Sequence, residues 1–322
     1  MKKLSTERLE LIDALVAEAG VGGITAGFLE KDEHLTAALQ AVFALNFQYA
    51  SLVLCGGTSL SKAYDLIERM SEDADIKVVL SQDTENWSQN QIRRYLGDEV
   101  RRQVIGALEN IGLVEDEASR DSLNNNRYSH SQWTYQRAYD GVTALRPNLQ
   151  LELTAREPVK STEMASIGTL VDKLAGLAGV NFSVPVVSIA ETLAEKVLSF
   201  LRRFSQHRTG KMQQDWDTAL VRHIYDVHCI VLKKPEVLED AIAAFVTLTA
   251  GDVNEYSYQD AAFAQNPKVV LQTALQLLGN DAQSHEEYHN VLLPLVYGDG
   301  KFTFEQAWTS FDNIANRLVR EL

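Results

Sequence analysis

Apolar positions recur with two different periods along this chain, and the change of period divides it. In the first half, helical spacings are interleaved with short strand-like runs. Residues 5–20 place Leu9, Ile12, Leu15 and Val16 on one helical face, and Gly20 to Gly23 break that helix. An amphipathic helix from about His34 to Leu45 precedes a short apolar strand, Ser51 to Cys55. Leu60, Ala63, Tyr64 and Ile67 predict a helix that Thr58 can cap, and Ile76 to Leu80 a second apolar strand. Ser88 to Ile111 is helical by spacing, through Ile92, Leu96, Val100, Val104 and Leu108; its arginines 93, 94, 101 and 102 read as a solvated face or a phosphate contact. A polar loop is predicted at 119–127 and an alternating strand at Trp133 to Tyr139. In Pro147 to Thr154, Leu149, Leu151 and Leu153 fall on one strand face, opposite Gln150, Glu152 and Thr154.

After Pro158 the period is lost until a helical 170–177. From Ile189 the spacing is helical almost to the end, with breaks predicted at 207–214, 234–236, 250–255, 264–267 and 298–301. The pattern predicts an α+β protein with an α/β domain over residues 1–160 and a mainly helical domain over 161–322.

Composition narrows the class. With 45% hydrophobic and 23% charged residues the chain reads as soluble and globular, and no apolar run reaches the roughly 18 residues that span a bilayer. The first fifteen residues lack the apolar core of a signal peptide. Cys55 and Cys229 form no CxxC and read as buried, reduced thiols, which predicts a cytoplasmic protein. The net charge of −14, from 30 basic and 44 acidic residues, is wrong for a protein that coats nucleic acid. A nucleic-acid end could be gripped only through focused positive charge.

The stretch from Ser51 to Leu80 carries the chemistry. A strand runs into Gly56-Gly57, where backbone can approach a ligand closely, and then into a helix whose first N–H groups suit phosphates. Asp73 and Asp75, entering the next strand, point to the same side. Two such carboxylates repel, and a divalent cation removes the repulsion; Mg²⁺ is commonly held by one or two carboxylates plus substrate phosphates. A surface acidic turn is the other reading of the pair.

Strand, Gly-Gly-Thr, helix, acidic pair, strand is the order of polymerase-β-like nucleotidyltransferases. GGTSLSKAY…RMSEDADI resembles the first motif of the AbiEii/AbiGii nucleotidyltransferase toxins of abortive-infection and type IV toxin–antitoxin systems. Two further stretches are similar to that family: ETLAEK at Glu191 to Lys196, and Arg222-His223-Ile224-Tyr225-Asp226-Val227, with Val227 where leucine is usual. Together the motifs span roughly residues 29–230.

The resemblance implies an N-terminal polymerase-β-like domain of mixed sheet and flanking helices, with a helical domain completing an active-site cleft. It implies metal-dependent transfer of a nucleotide from an NTP to an acceptor hydroxyl, with Mg²⁺ or Mn²⁺ held by Asp73 and Asp75 and a third carboxylate, Glu152, from a later strand. Gly56, Gly57, Thr58 and Ser71 would touch the triphosphate, with Lys62 and Arg69 as further candidates. Lys196 would contact phosphates, and Asp226 would hold Lys196 or position the attacking hydroxyl. A solvated helix face and an Arg222–Asp226 ion pair are the competing readings. Glu30-Lys31-Asp32 matches a further family feature; a helix N-terminus favouring acids explains it equally. The family further implies a growth-arresting toxin in phage defence, with a cognate antitoxin encoded nearby and, in some members, the tRNA acceptor end as substrate.

Arg202, Arg203, His207, Arg208 and Lys211 form the densest basic cluster, a candidate landing patch for RNA or triphosphate or else a plain interhelical loop. A catalytically silent NTP-binding module is one alternative function. Another is a zinc metalloprotease, because His285, Glu286 and His289 fit HExxH, although no third ligand is identifiable.

Overall fold

The strand-like runs assemble into one seven-stranded mixed sheet. The computed structural model describes residues 1–18, 22–140, 145–179, 181–212 and 215–322, so part of the predicted glycine break at 20–23 lies outside the described residues. The chain divides into two units. The first comprises Met1–Pro158, Thr162–Val187 and Tyr297–Asp299, and the second Val159–Ser161, Ser188–Val296 and Gly300–Leu322.

The first unit opens with helices α1 (Thr6–Ala17), capped by Ser5, and α2 (Ala26–Phe43), capped by Thr25. Strands β1 (Ala50–Cys55) and β2 (Asp73–Leu80) pair antiparallel. A continuous helical run through Gln89–Arg94, Tyr95–Arg101 and Arg102–Asn110, here α3, starts at a Ser88–Gln91 capping box. Arg93, Arg94 and Arg102 on it are exposed. Then come β3 (Val114–Leu123), β4 (Tyr128–Thr134), β5 (Leu149–Thr154), β6 (Glu163–Ile167), the short helix α4 (Leu170–Leu174) and β7 (Phe182–Val186). The strand order is β3-β4-β5-β2-β1-β7-β6.

Several expectations change here. The loop predicted at 119–127 is the end of β3 and a turn in which Asn124, Asn125 and Asn126 have positive φ; β3 lies at a sheet edge, where polar residues suffice. Its partner ends at Thr134, not Tyr139. Residues 162–187, placed in the second domain by pattern, supply two strands of this sheet. The helix predicted through Ile67 stops at Ala63, after a short turn Gly56–Thr58 and a π-helical turn Ser59–Ala63, and Asp65 takes φ +54°.

One sheet face is covered. Leu35, Leu39 and Val42 of α2 and Val100, Val104 and Leu108 of α3 pack against Leu54, Ile76, Val78, Leu149, Leu151 and Leu153. Burial of these side chains, at about 25 cal/mol per Å² of apolar surface, holds the sheet in register. The alternation that buries these leucines and isoleucines turns Asp73, Asp75, Gln150 and Glu152 to the opposite face.

The second unit is built on α5 (Ile189–Arg208), whose Val197, Phe200, Leu201 and Phe204 are almost fully buried. Around it lie α6 (Arg222–Lys233), α7 (Leu238–Tyr256), α8 (Pro267–Leu278) and α9 (Phe304–Arg320), with shorter helices between. The break predicted at 250–255 falls inside α7. Asp252 there is needed by buried Arg202, 3.1 Å away, and that ion pair outweighs the local preference of Gly-Asp for a turn.

Candidate active site

β1 ends at Cys55 and the chain turns at Gly56, whose φ of +71° favours glycine. Space forbids a side chain as well, because a Cβ on Gly56 would strike the carboxylate of Asp75. At Gly57 a Cβ would come within 2.8 Å of Arg69 Nη2 and 3.0 Å of Ser71 Oγ. The glycines thus bring main chain against an acid on one side and against a guanidinium and a hydroxyl on the other. Thr58 is not a cap. Its hydroxyl, fully buried, donates to the Asp73 carbonyl and lies 2.9 Å from Ser71 Oγ, tying the turn to the start of β2. Arg69 is 4% exposed and donates to the Met70 carbonyl at 3.1 Å. Arg69 and Ser71 also border a cleft of about 290 Å³ that Lys62 and Tyr297 line from other sides.

Asp73 and Asp75 share a face of β2, with Ala74 buried between them. The parallel β2–β5 register sets Gln150 opposite Asp73 and Glu152 opposite Asp75. Lys77, the next residue on that face, is only 4% exposed. Among the described residues no three Asp, Glu, His or Cys side chains converge on one ion position. The donor set is therefore a carboxylate pair with Glu152 one strand away. Such a pair fits Mg²⁺, which takes oxygen ligands and completes its shell from phosphates and water.

Pattern reading missed Arg146. Its Nη1 lies 3.0 and 3.3 Å from the two carboxylate oxygens of Asp73 and 2.6 Å from Gln150 Oε1. Its backbone N–H donates to Glu72 Oε1 at 2.6 Å, and its carbonyl accepts from Lys31 Nζ at 2.7 Å. Lys31 and Glu72 form a 2.9 Å ion pair with both side chains fully buried. Burial pulls the Lys31 ammonium below the ordinary lysine range, against the opposing pull of Glu72.

These contacts overturn the helix-terminus reading of Glu30-Lys31-Asp32. The three residues lie inside α2, and all are buried. The Glu30 carboxylate, pushed up by burial, accepts from the Ala138 and Tyr139 N–H groups at 2.7 and 3.2 Å. Asp32 accepts from the Leu170 N–H and pairs with Lys62 at 2.6 Å. Lys62, a candidate for triphosphate, has its ammonium held by Asp32, by Thr36 Oγ1 at 2.7 Å and by the Gly168 carbonyl at 3.3 Å.

The second unit carries its own buried charges. Ser188 caps α5, and Glu191 accepts from the Val159 and Lys160 N–H groups at 2.9 Å each. Lys196 and Asp226, 6% and 0% exposed, meet at 2.6 Å. A solvated helix face does not describe Glu191 or Lys196.

The basic cluster is not an open positive patch. Arg202 pairs with Asp252 and lies 3.8 Å over the Tyr256 ring, Arg203 is 3.6 Å from Asp217, Arg208 meets Asp281, and Lys211 is 2.6 Å from Asp260. His207 stacks on Trp216. The HExxH stretch forms no zinc pair either. The His285 ring packs on Phe304, Glu286 is exposed, and His289 is exposed beside Asn290 Oδ1 at 3.3 Å.

A glycine turn on one strand thus lies against an acid pair on the next, with a guanidinium beside it. The model of the family described as nucleotidyl transferase AbiEii toxin, type IV toxin–antitoxin system, matches residues 37–317. The chain belongs to that family and is a nucleotidyltransferase. Comparison with curated protein sequences finds no match. Among solved structures the chain is similar to MenT4, a nucleotidyltransferase toxin from Mycobacterium tuberculosis H37Rv, at 16% identity, 84% coverage of this chain, 99% of that one and a TM-score of 0.35. Among the described residues no helix is long and apolar enough to cross a membrane.

Proposed function

We propose that the protein moves a nucleotide from an NTP to an acceptor hydroxyl of RNA, at the tRNA acceptor end, and that this arrests growth until a cognate antitoxin opposes it. The reading requires the cytoplasm, where NTPs and tRNA are found, and it includes phage defence by abortive infection. The observation that carries it is the placement of Asp73 and Asp75 on one face of β2, hard against a glycine turn that excludes any side chain. Mg²⁺, or Mn²⁺ in its place, when held by this pair would stabilise charge on the attacking and leaving oxygens.

The chain's own residues have distinct tasks in this reading. Gly56 and Gly57 admit the triphosphate to the main chain, and Ser71 and Arg69 contact its oxygens. Glu152 assists the acid pair from β5. Lys196 contacts phosphates as a point charge, and Asp226, 2.6 Å from it, holds that ammonium in place. The test is incubation of purified protein with each labelled NTP, Mg²⁺ and total tRNA, beside Asp75→Ala. Label entering tRNA from one NTP and lost in the variant supports the reading. Label entering neither tRNA nor whole-lysate acceptors, from any NTP, overturns it.

A further inference from the structure

We propose that Arg146 is a phosphate ligand of this site, stored on Asp73 until a metal-bound nucleotide arrives. The inference rests on the reading above and adds a substrate-binding residue to it.

The main chain of Arg146 is fixed to an unusual degree. Its N–H and its carbonyl are both held by the Lys31–Glu72 pair, whose side chains are fully buried. A buried acid and a buried lysine are therefore committed to the backbone of this arginine. The side chain is in a different setting. The guanidinium and its carboxylate partner remain 31% and 27% exposed, so solvent and solutes reach the pair. The geometry is that of a fixed base carrying a movable arm.

Nη1 donates to both carboxylate oxygens, at 3.0 and 3.3 Å, and a guanidinium donates equally well to phosphate oxygens. Asp73 cannot serve Arg146 and a divalent cation fully at once, because both draw on the same two oxygens. Arg146 therefore competes with metal when no nucleotide is present. It then has the triphosphate to turn to once metal and nucleotide come together. Gln150, 2.6 Å from the same nitrogen, steadies the stored position.

The two halves of the proposal predict opposite signs for one substitution. Mn²⁺ binding to the nucleotide-free protein is followed by electron paramagnetic resonance in wild type, Arg146→Gln, Arg146→Lys and Asp73→Asn, and repeated with inorganic tripolyphosphate. Arg146→Gln is expected to bind Mn²⁺ alone about tenfold more tightly and Mn²⁺–tripolyphosphate about tenfold more weakly, the scale of one charged hydrogen bond. Arg146→Lys, which keeps the charge and the clamped backbone, is expected to fall between wild type and Arg146→Gln. Unchanged affinities in both arginine variants, or a shift of both affinities in the same direction, overturn the role of Arg146. Mn²⁺ binding that survives in Asp73→Asn overturns instead the assignment of the metal to this carboxylate.

Discussion

His34 tests whether the electrostatics of the first unit are understood. The ring is fully buried on α2, stacks on Tyr135 with centroids 4.0 Å apart, and has no hydrogen-bond partner at either nitrogen among the described residues. Burial, helped by the nearby Lys2 ammonium, lowers its pKa from 6.5 to about 4. Above pH 6.5 the ring is neutral whether the chain is folded or not, and it contributes nothing to pH dependence. Between 6.5 and about 4 the unfolded chain takes up a proton that the folded one refuses, so stability falls with pH by up to about 1.4 kcal/mol per unit. The accumulated loss is about 3 kcal/mol by pH 4 and constant below it. In His34→Leu this loss disappears. Urea unfolding of both proteins, followed by tryptophan fluorescence from pH 4 to 7.5, gives the difference directly. Carboxylates that titrate in the same range are common to both chains and cancel. A stability difference that does not vary with pH across that range would refute the buried, neutral ring.

Two further substitutions read other parts of the structure. Asp226→Ala strands the Lys196 ammonium, 6% exposed, without its carboxylate; a loss of about 3–5 kcal/mol follows, seen as a thermal midpoint about 4–7 °C lower in calorimetry, whereas Lys196→Met with Asp226→Leu recovers most of it. Gly57→Ala pushes a methyl against Arg69 Nη2 and Ser71 Oγ, so NTP affinity measured by equilibrium dialysis should fall at least tenfold while the stability loss stays within about 1–3 kcal/mol.

How much of this was legible in the sequence depends on the range of the forces involved. Period-two alternation put Asp73 and Asp75 on one side of their strand and Glu152 opposite the leucines of its own, and the β2–β5 register sets Glu152 beside Asp75. The ETLAEK stretch pointed to Lys196, and its pair with Asp226 is present. Partners far apart in sequence left no such trace. Lys31 meets Glu72 and the Arg146 carbonyl across 41 and 115 residues, and no local pattern announces that. Arg146 itself stands between Leu145 and Pro147, outside every periodic run, and nothing there marks it. Lys77 could have been noticed, since a lysine within the apolar run Ile76 to Leu80 must be satisfied in a buried strand. The basic run of α5 was misjudged because its acids, Asp217, Asp252, Asp260 and Asp281, come from elements after it in the chain.

That last arrangement changes what salt can do to nucleic-acid binding. Four unpaired cations laid along phosphates would release condensed counterions, giving log K against log salt a slope of about −3 for a single strand. Arg202, Arg203, Arg208 and Lys211 already carry a carboxylate each, so a polyanion arriving there exchanges one ion pair for another and frees almost no bound ions. RNA held by these four side chains is therefore held with little help from dilution of the buffer. Its affinity should be nearly flat in ionic strength, set by shape and by the few groups that touch it.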